Sequence, residues 1–107
     1  METRSTRRAL RHSLIVDLVI VDLESGNQLR ERTKDVNLHG CGVSTETPFP
    51  AGTKVMLKMV YGREKITAFG KVIYGRSDIG MGIVFTTVEE EEQILLEDWI
   101  AKLAIPQ

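Results

Sequence analysis

Residues 12–23, HSLIVDLVIVDL, decide the fold class of this chain. Valine, isoleucine and leucine fill most of the stretch, glycine and proline are absent from it, and Asp17 and Asp22 interrupt it without helical regularity. Branched side chains suit an extended, pleated surface better than a helical one, so the segment reads as a long strand. Ser25-Gly26-Asn27 follows with residues that tolerate positive φ, and residues 28–35 lead back as a return strand whose polar and apolar positions alternate less clearly. The two strands make a hairpin.

Reading on from that hairpin, the two glycines of Asn37-Leu38-His39-Gly40-Cys41-Gly42 suggest a tight bend, and Val43 to Thr45 reads as a short strand closed by Pro48, Pro50 and Gly52. KVMLKMVY (54–61) is a strand ending at a Gly62-Arg63 turn. Residues 65–74 form another, with Gly70 marking a bulge or bend, and residues 81–85 the last. Six short strands at close, regular spacing favour an all-β fold, a small six-stranded antiparallel barrel, over a sandwich. The chain then changes character. Thr87-Val88-Glu89-Glu90 has the form of a capping box, and Leu95, Leu96, Trp99, Ile100 and Leu103 recur at helical spacing, so a C-terminal amphipathic helix closes the chain before Pro106. Glu89 to Glu92 fall in its first turn, where the macrodipole favours negative charge, and read as a solvated helix start.

The bulk composition bounds the function. A chain of 107 residues with 42% apolar residues supplies one core and one domain. A net charge of -1 and a pI near 6.1 argue against a surface that is basic all over, and so against general nucleic-acid binding. With Cys41, His12 and His39 as the only cysteine and histidines, neither an internal disulfide nor a four-ligand Cys/His metal site can be assembled. No P-loop and no nucleophile with base and orienting partner is evident, so an enzyme is the least favoured class. The amino-terminal residues have charge but no apolar signal-peptide core, and no apolar run is long enough to cross a bilayer, so a cytoplasmic location is expected.

Two groups of residues stand out. Before the first strand, residues 1–11 carry Arg4, Arg7, Arg8 and Arg11 against the single acid Glu2. The planar guanidinium fork fits phosphate oxygens or the O6 and N7 edge of a guanine, so this arm is a local anion-binding element or a solvated basic tail. The second group is Asp35-Val36-Asn37-Leu38-His39-Gly40. Asp35 there can accept from the N1 and N2 donors of a guanine, Asn37 can donate and accept, and Gly40 and Gly42 let backbone approach a ligand; the alternative is an Asx-turn that satisfies its own loop. His39 reads as an exposed loop histidine, and Cys41 as a semi-buried residue without a catalytic base. Trp99 and the methionines read as core.

Taken together, RRALR from Arg7 and DVNLHG from Asp35 resemble the R-x-x-x-R and [D/N]-x-S-x-x-G motifs of the PilZ domain family, in that order and about one hairpin apart. GKVIY from Gly70 and IGMGIVF from Ile79 are similar to the family's late strands, so the resemblance spans nearly the whole chain. It implies a barrel over residues 12–107 preceded by a flexible arginine arm over residues 1–11. It also implies a ligand, cyclic di-GMP, held between the two, with no other cofactor and with a downstream protein partner. The arm's roles would fall on Arg7 and Arg11 with Arg8 as helper, although Arg4 and Arg8 fit the same spacing. The turn's roles would fall on Asp35 and Gly40, with Asn37 standing where the family has serine. Tyr74 stands where the family often has an aromatic near the ligand, and is either a stacking platform for a base or a plain barrel-surface tyrosine. The competing readings are a PilZ-like protein-interaction module that no longer binds the nucleotide and, less favoured, a nucleic-acid-binding barrel.

Overall fold

In the computed structural model, which describes residues 14–104, the opening apolar stretch becomes strand β1 (Asp17–Asp22). It is followed by β2 (Gln28–Val36), β3 (Gly40–Val43), β4 (Lys54–Tyr61), β5 (Glu64–Arg76), β6 (Gly80–Thr87) and the helix α1 (Glu90–Ala104). The strands close into one antiparallel barrel in the order β1-β2-β3-β6-β5-β4. Closure gives every strand a neighbour on both sides, although β2 before Thr33 and β5 before Phe69 run beyond their second partner. The six-stranded barrel with a C-terminal helix is therefore as expected, while the arginine arm of residues 1–11 lies outside the described residues.

Alternation fills the interior. Ile20, Val43, Val55, Leu57, Met59, Ile66, Ala68 and Met81 are fully buried, with Leu18, Val72 and Ile83 nearly so. The β1–β2 turn is held by Asp22, whose Oδ1 accepts from the amides of Glu24 (2.9 Å) and Ser25 (3.4 Å). These bonds hold its carboxyl below the ordinary 3.8. At the β4–β5 turn Gly62 adopts φ 64°, the left-handed backbone that a two-residue hairpin loop requires.

The helix docks through two carboxylates as well as through its apolar face. Leu96 and Trp99 are buried, and the Trp99 ring meets Tyr61 edge-on at 5.4 Å. Its Nε1 donates to Glu64 Oε1 at 2.7 Å. β6 pairs with β5 only from Phe69 onward, so the Thr67 amide of β5 lies beyond the reach of that ladder. Glu92 Oε1 accepts from it instead, at 2.6 Å.

Four details correct the expectations from sequence. Gly40 to Val43, read as bend and strand start, is β3 itself, and the bend sits earlier at Asn37–His39. Thr87 ends β6, so there is no capping box: α1 starts at Glu90, and Gln93 N donates to the Glu89 carbonyl in its first turn. The acidic helix start is not wholly solvated, because Glu92 is spent on β5. Residues 14–16, expected to be strand, precede β1 and are tied down by one side chain. Buried Thr33 donates from Oγ1 to the Leu14 carbonyl and accepts from Val16 N, both at 3.0 Å.

Candidate ligand-binding site

The bend after β2 is built by Asn37. Its Oδ1 accepts from the amides of His39 (2.7 Å) and Gly40 (3.1 Å), and its own amide donates to the Gly40 carbonyl (2.9 Å). This is the Asx-turn weighed above, and a serine hydroxyl accepts in the same way, so asparagine keeps the loop that the family's serine would make. His39 is exposed, and its carbonyl accepts from Phe85 N, which ties the bend to β6.

Strict alternation along β2 would put Asp35 on the same face as buried Thr33, inside the barrel. The register shifts between these two residues, so that Lys34 and Asp35 are both exposed. A β-bulge thus turns the Asp35 carboxylate outward. The same device recurs on β5, where the register shifts between buried Val72 and Tyr74 and leaves Ile73 and Tyr74 exposed at 58% and 39%.

The two re-aimed residues belong to one row across four strands. Asp35 of β2 pairs with Gly42 of β3, Gly42 with Gly82 of β6, and Gly82 with Tyr74 of β5. Three strand spacings make this row about 14 Å across. Between its two ends the outer face carries no side chain. The Tyr74 ring lies flat on Gly82, where a Cβ would collide with the ring. Asp35 leans over Gly42, and its Oδ1 accepts from the Gly42 amide at 3.2 Å. Its second oxygen takes no hydrogen bond among the described residues. At the next position along β3, Gly40 is held so close to β6 that a Cβ would strike the Ile83 carbonyl oxygen.

The site is therefore a floor of bare backbone bounded by a carboxylate at one end and an aromatic face at the other. Lys34 adds a cation: its Cε would lie 3.6 Å from a Cβ at Gly42. Lys71 of β5 shares the neighbouring row with Val84 and Gly40. Such a surface offers a flat group a stacking partner and an acceptor, and an anion two ammonium groups. On the inner side, buried Cys41 faces the core, and burial, then the Asp35 charge, push its thiol from 9.0 up to about 12. That keeps it protonated and unreactive at neutral pH.

Of the residues singled out from sequence, the fold brings Asp35, Asn37, Gly40 and Tyr74 to one side of the barrel; Arg7, Arg8 and Arg11 lie outside the described residues. Gly82, Lys34 and Lys71 were missed as site residues. The signal for Gly82 was present, since glycines stand two apart in both Gly40-Cys41-Gly42 and Gly80-Met81-Gly82, the spacing that strips one face of a strand.

The fold agrees with the comparisons with known proteins. The family model of the PilZ domain matches residues 2–102. The chain belongs to the PilZ domain family. PilZ domains are a family of cyclic di-GMP receptors. Among solved structures, the PilZ domain of CeSA from a cellulose synthesizing bacterium matches with a TM-score of 0.70 at 12% identity, covering 88% of this chain and 97% of that one. The Bacillus subtilis inhibitor of motility MotI/DgrA matches with a TM-score of 0.67 at 15% identity, covering 85% of this chain and 47% of that one. Both show the shared PilZ barrel. No curated protein matches the chain in sequence. Among the described residues no helix is long and apolar enough to cross a membrane, and no cluster of metal-ligating side chains occurs.

Proposed function

We propose that this PilZ domain is a cyclic di-GMP sensor, in which the arginine-rich residues 1–11 close over a nucleotide lying on the Asp35–Gly42–Gly82–Tyr74 row. The observation that carries the reading is that row: bare backbone, with a carboxylate acceptor and an aromatic face aimed outward by two separate bulges. One guanine would stack on Tyr74, and the free Asp35 oxygen would accept from the N1 and N2 donors of a guanine edge. Arg7 and Arg11, with Arg8 as helper, would engage phosphate and the O6 and N7 edge, and Lys34 and Lys71 would add charge.

The anchoring of Leu14 supports a role for the arm. Thr33, two residues before Asp35, holds the Leu14 carbonyl, so the chain enters the barrel beside the row. Arg11 stands three residues before Leu14, within about 10 Å of it in extended chain. Ordering the arm costs about 1–2 kcal/mol per residue fixed, which several charge-assisted contacts must offset together. The arm would then be free in the empty domain and fixed in the loaded one, changing the surface offered to a downstream protein partner.

Calorimetric titration of cyclic di-GMP tests this. Arg7→Ala, Arg11→Ala and Asp35→Ala are each expected to weaken binding about tenfold or more. Unchanged affinity in all three, or no heat with the unaltered chain, removes the assignment and leaves a protein-interaction module.

A further inference from the structure

Away from the glycine row, the outer face of β1, β2, β4 and the start of β5 forms an open groove of about 830 Å³. Its floor is apolar and its rim is cationic. Val19 pairs with Arg30 on one side and Lys58 on the other, and Val60 with Asp17 and Lys65. Arg32 is paired with Asp17 at 3.3 Å, whereas Arg30, Lys58 and Lys65 have no ion-pair partner among the described residues. Four cations, Arg30, Arg32, Lys58 and Lys65, thus line the groove against the two acids Asp17 and Glu31, around half-buried Val19 and exposed Val60, a local positive excess in a chain whose net charge is -1.

The same chain carries the complementary surface. Ile94 is the most exposed large hydrophobic residue among those described, at 60%. It stands four residues after Glu90 and three after Glu91, so all three share one face of α1. Both glutamates are exposed and without a cationic partner among the described residues. An apolar knob within an acidic border thus matches an apolar groove within a basic one.

We infer that the groove receives the acidic first turns of α1 from a second copy of this chain, with Ile94 seated between Val19 and Val60, and Glu90 and Glu91 against Lys58, Lys65 and Arg30. The chain's own α1 does not fill the groove, because its Ile94 is exposed while Glu92 binds Thr67. The arginine arm is excluded by its charge, four arginines against one glutamate. Both surfaces adjoin β5, which supplies Thr67 to the helix and Lys65 to the rim. A two-fold arrangement therefore lets each copy give one helix and accept one, which closes the assembly as a dimer.

Sedimentation velocity of the 107-residue chain without nucleotide, over a concentration series in low and high salt, tests the inference independently of the ligand reading. A monomer–dimer equilibrium that salt weakens is expected. Lys58→Glu with Lys65→Glu, and Glu90→Lys with Glu91→Lys, should each weaken it about tenfold or more, and Ile94→Ser should weaken it with no change of charge. An equimolar mixture of the two charge-reversed proteins should re-form dimers well above the level of either alone, because positions 58 and 65 again meet opposite charge at positions 90 and 91 in both grooves and only the unreversed Arg30 of one groove is left facing like charge. A monomer at every concentration overturns the inference. So does a dimer indifferent to both reversals, or failure of the mixture while both variants retain the circular dichroism of the unaltered chain. So, too, does dependence of the dimer on Arg7, Arg8 and Arg11. A monomer that instead pellets with anionic lipid vesicles through Lys58 and Lys65 assigns the groove to a lipid surface and overturns it equally.

Discussion

The two sides of this barrel carry opposite dress. Across β2, β3, β6 and β5 the outer face has glycine at its centre, and what rises from it is confined to Asp35, Tyr74 and their neighbours. Across β2, β1, β4 and β5 every outward position bears a full side chain, from Arg30 through Val19 and Lys58 to Thr67. Both sides share one ladder geometry, so the difference is not architectural. On the first side neighbouring atoms already occupy the volume a Cβ would need; on the second that volume opens to solvent. Substitutions should therefore be costly on one side and cheap on the other.

The largest effect is expected at Gly40. In Gly40→Ala the new Cβ meets the Ile83 carbonyl, a backbone atom that cannot turn aside, so β3 and β6 must separate at a cost of about 2–4 kcal/mol. Urea denaturation beside Val19→Ala, expected to lose no more than about 1 kcal/mol, measures the contrast. Equal losses would break it.

Gly82→Ala should divide stability from binding. The obstacle there is a tyrosine ring that can swing away, so folding should lose only about 1 kcal/mol. Affinity for cyclic di-GMP should fall about tenfold, as for Tyr74→Ala, because the displaced ring no longer offers its face. Wild-type affinity in Gly82→Ala would show that the ring is not a platform.

Cys41 sharpens the comparison through pH. Its folded-state pKa is raised, so its contribution to stability is complete below the ordinary thiol value of 9.0 and is lost as pH rises from there towards about 12. The urea midpoint should fall over that window in the unaltered chain, and less so in Cys41→Ala. Alkylation at neutral pH should require unfolding. The smallest effect belongs to the Asp17–Arg32 pair on the cationic side, whose side chains are 72% and 76% exposed. Arg32→Ala should change stability by no more than about 0.5 kcal/mol, within the error of most melting experiments.

Much of this could be read in advance. The run of branched residues in 12–23, which became strand over Asp17–Asp22, the turn at Ser25–Asn27, the strand at 54–61 and the helical recurrence of Leu95, Leu96 and Trp99 are local signals, and each announced the type of element found there. Other signals misled because a neighbour across the barrel decided the outcome. Gly40-Cys41-Gly42 looks like a bend in isolation, yet lies in a central strand because β2 and β6 pair with both its edges. Thr87 looks like a cap, yet pairs with Phe69 as the end of β6. Gly70 was rightly suspected, for the β5–β6 register shifts beside it.

The sequence by itself determined the number of strands, the terminal helix and the family, because these follow from side-chain branching, turn chemistry and short motifs that act locally. Only the tertiary structure decided which way Asp35 and Tyr74 face. Alternation along their own strands would bury both, and it is the mismatch of register with the partner strand, at Lys34 and at Ile73, that brings them outward onto one row. Register is a property of two strands together, and no single stretch of residues contains it.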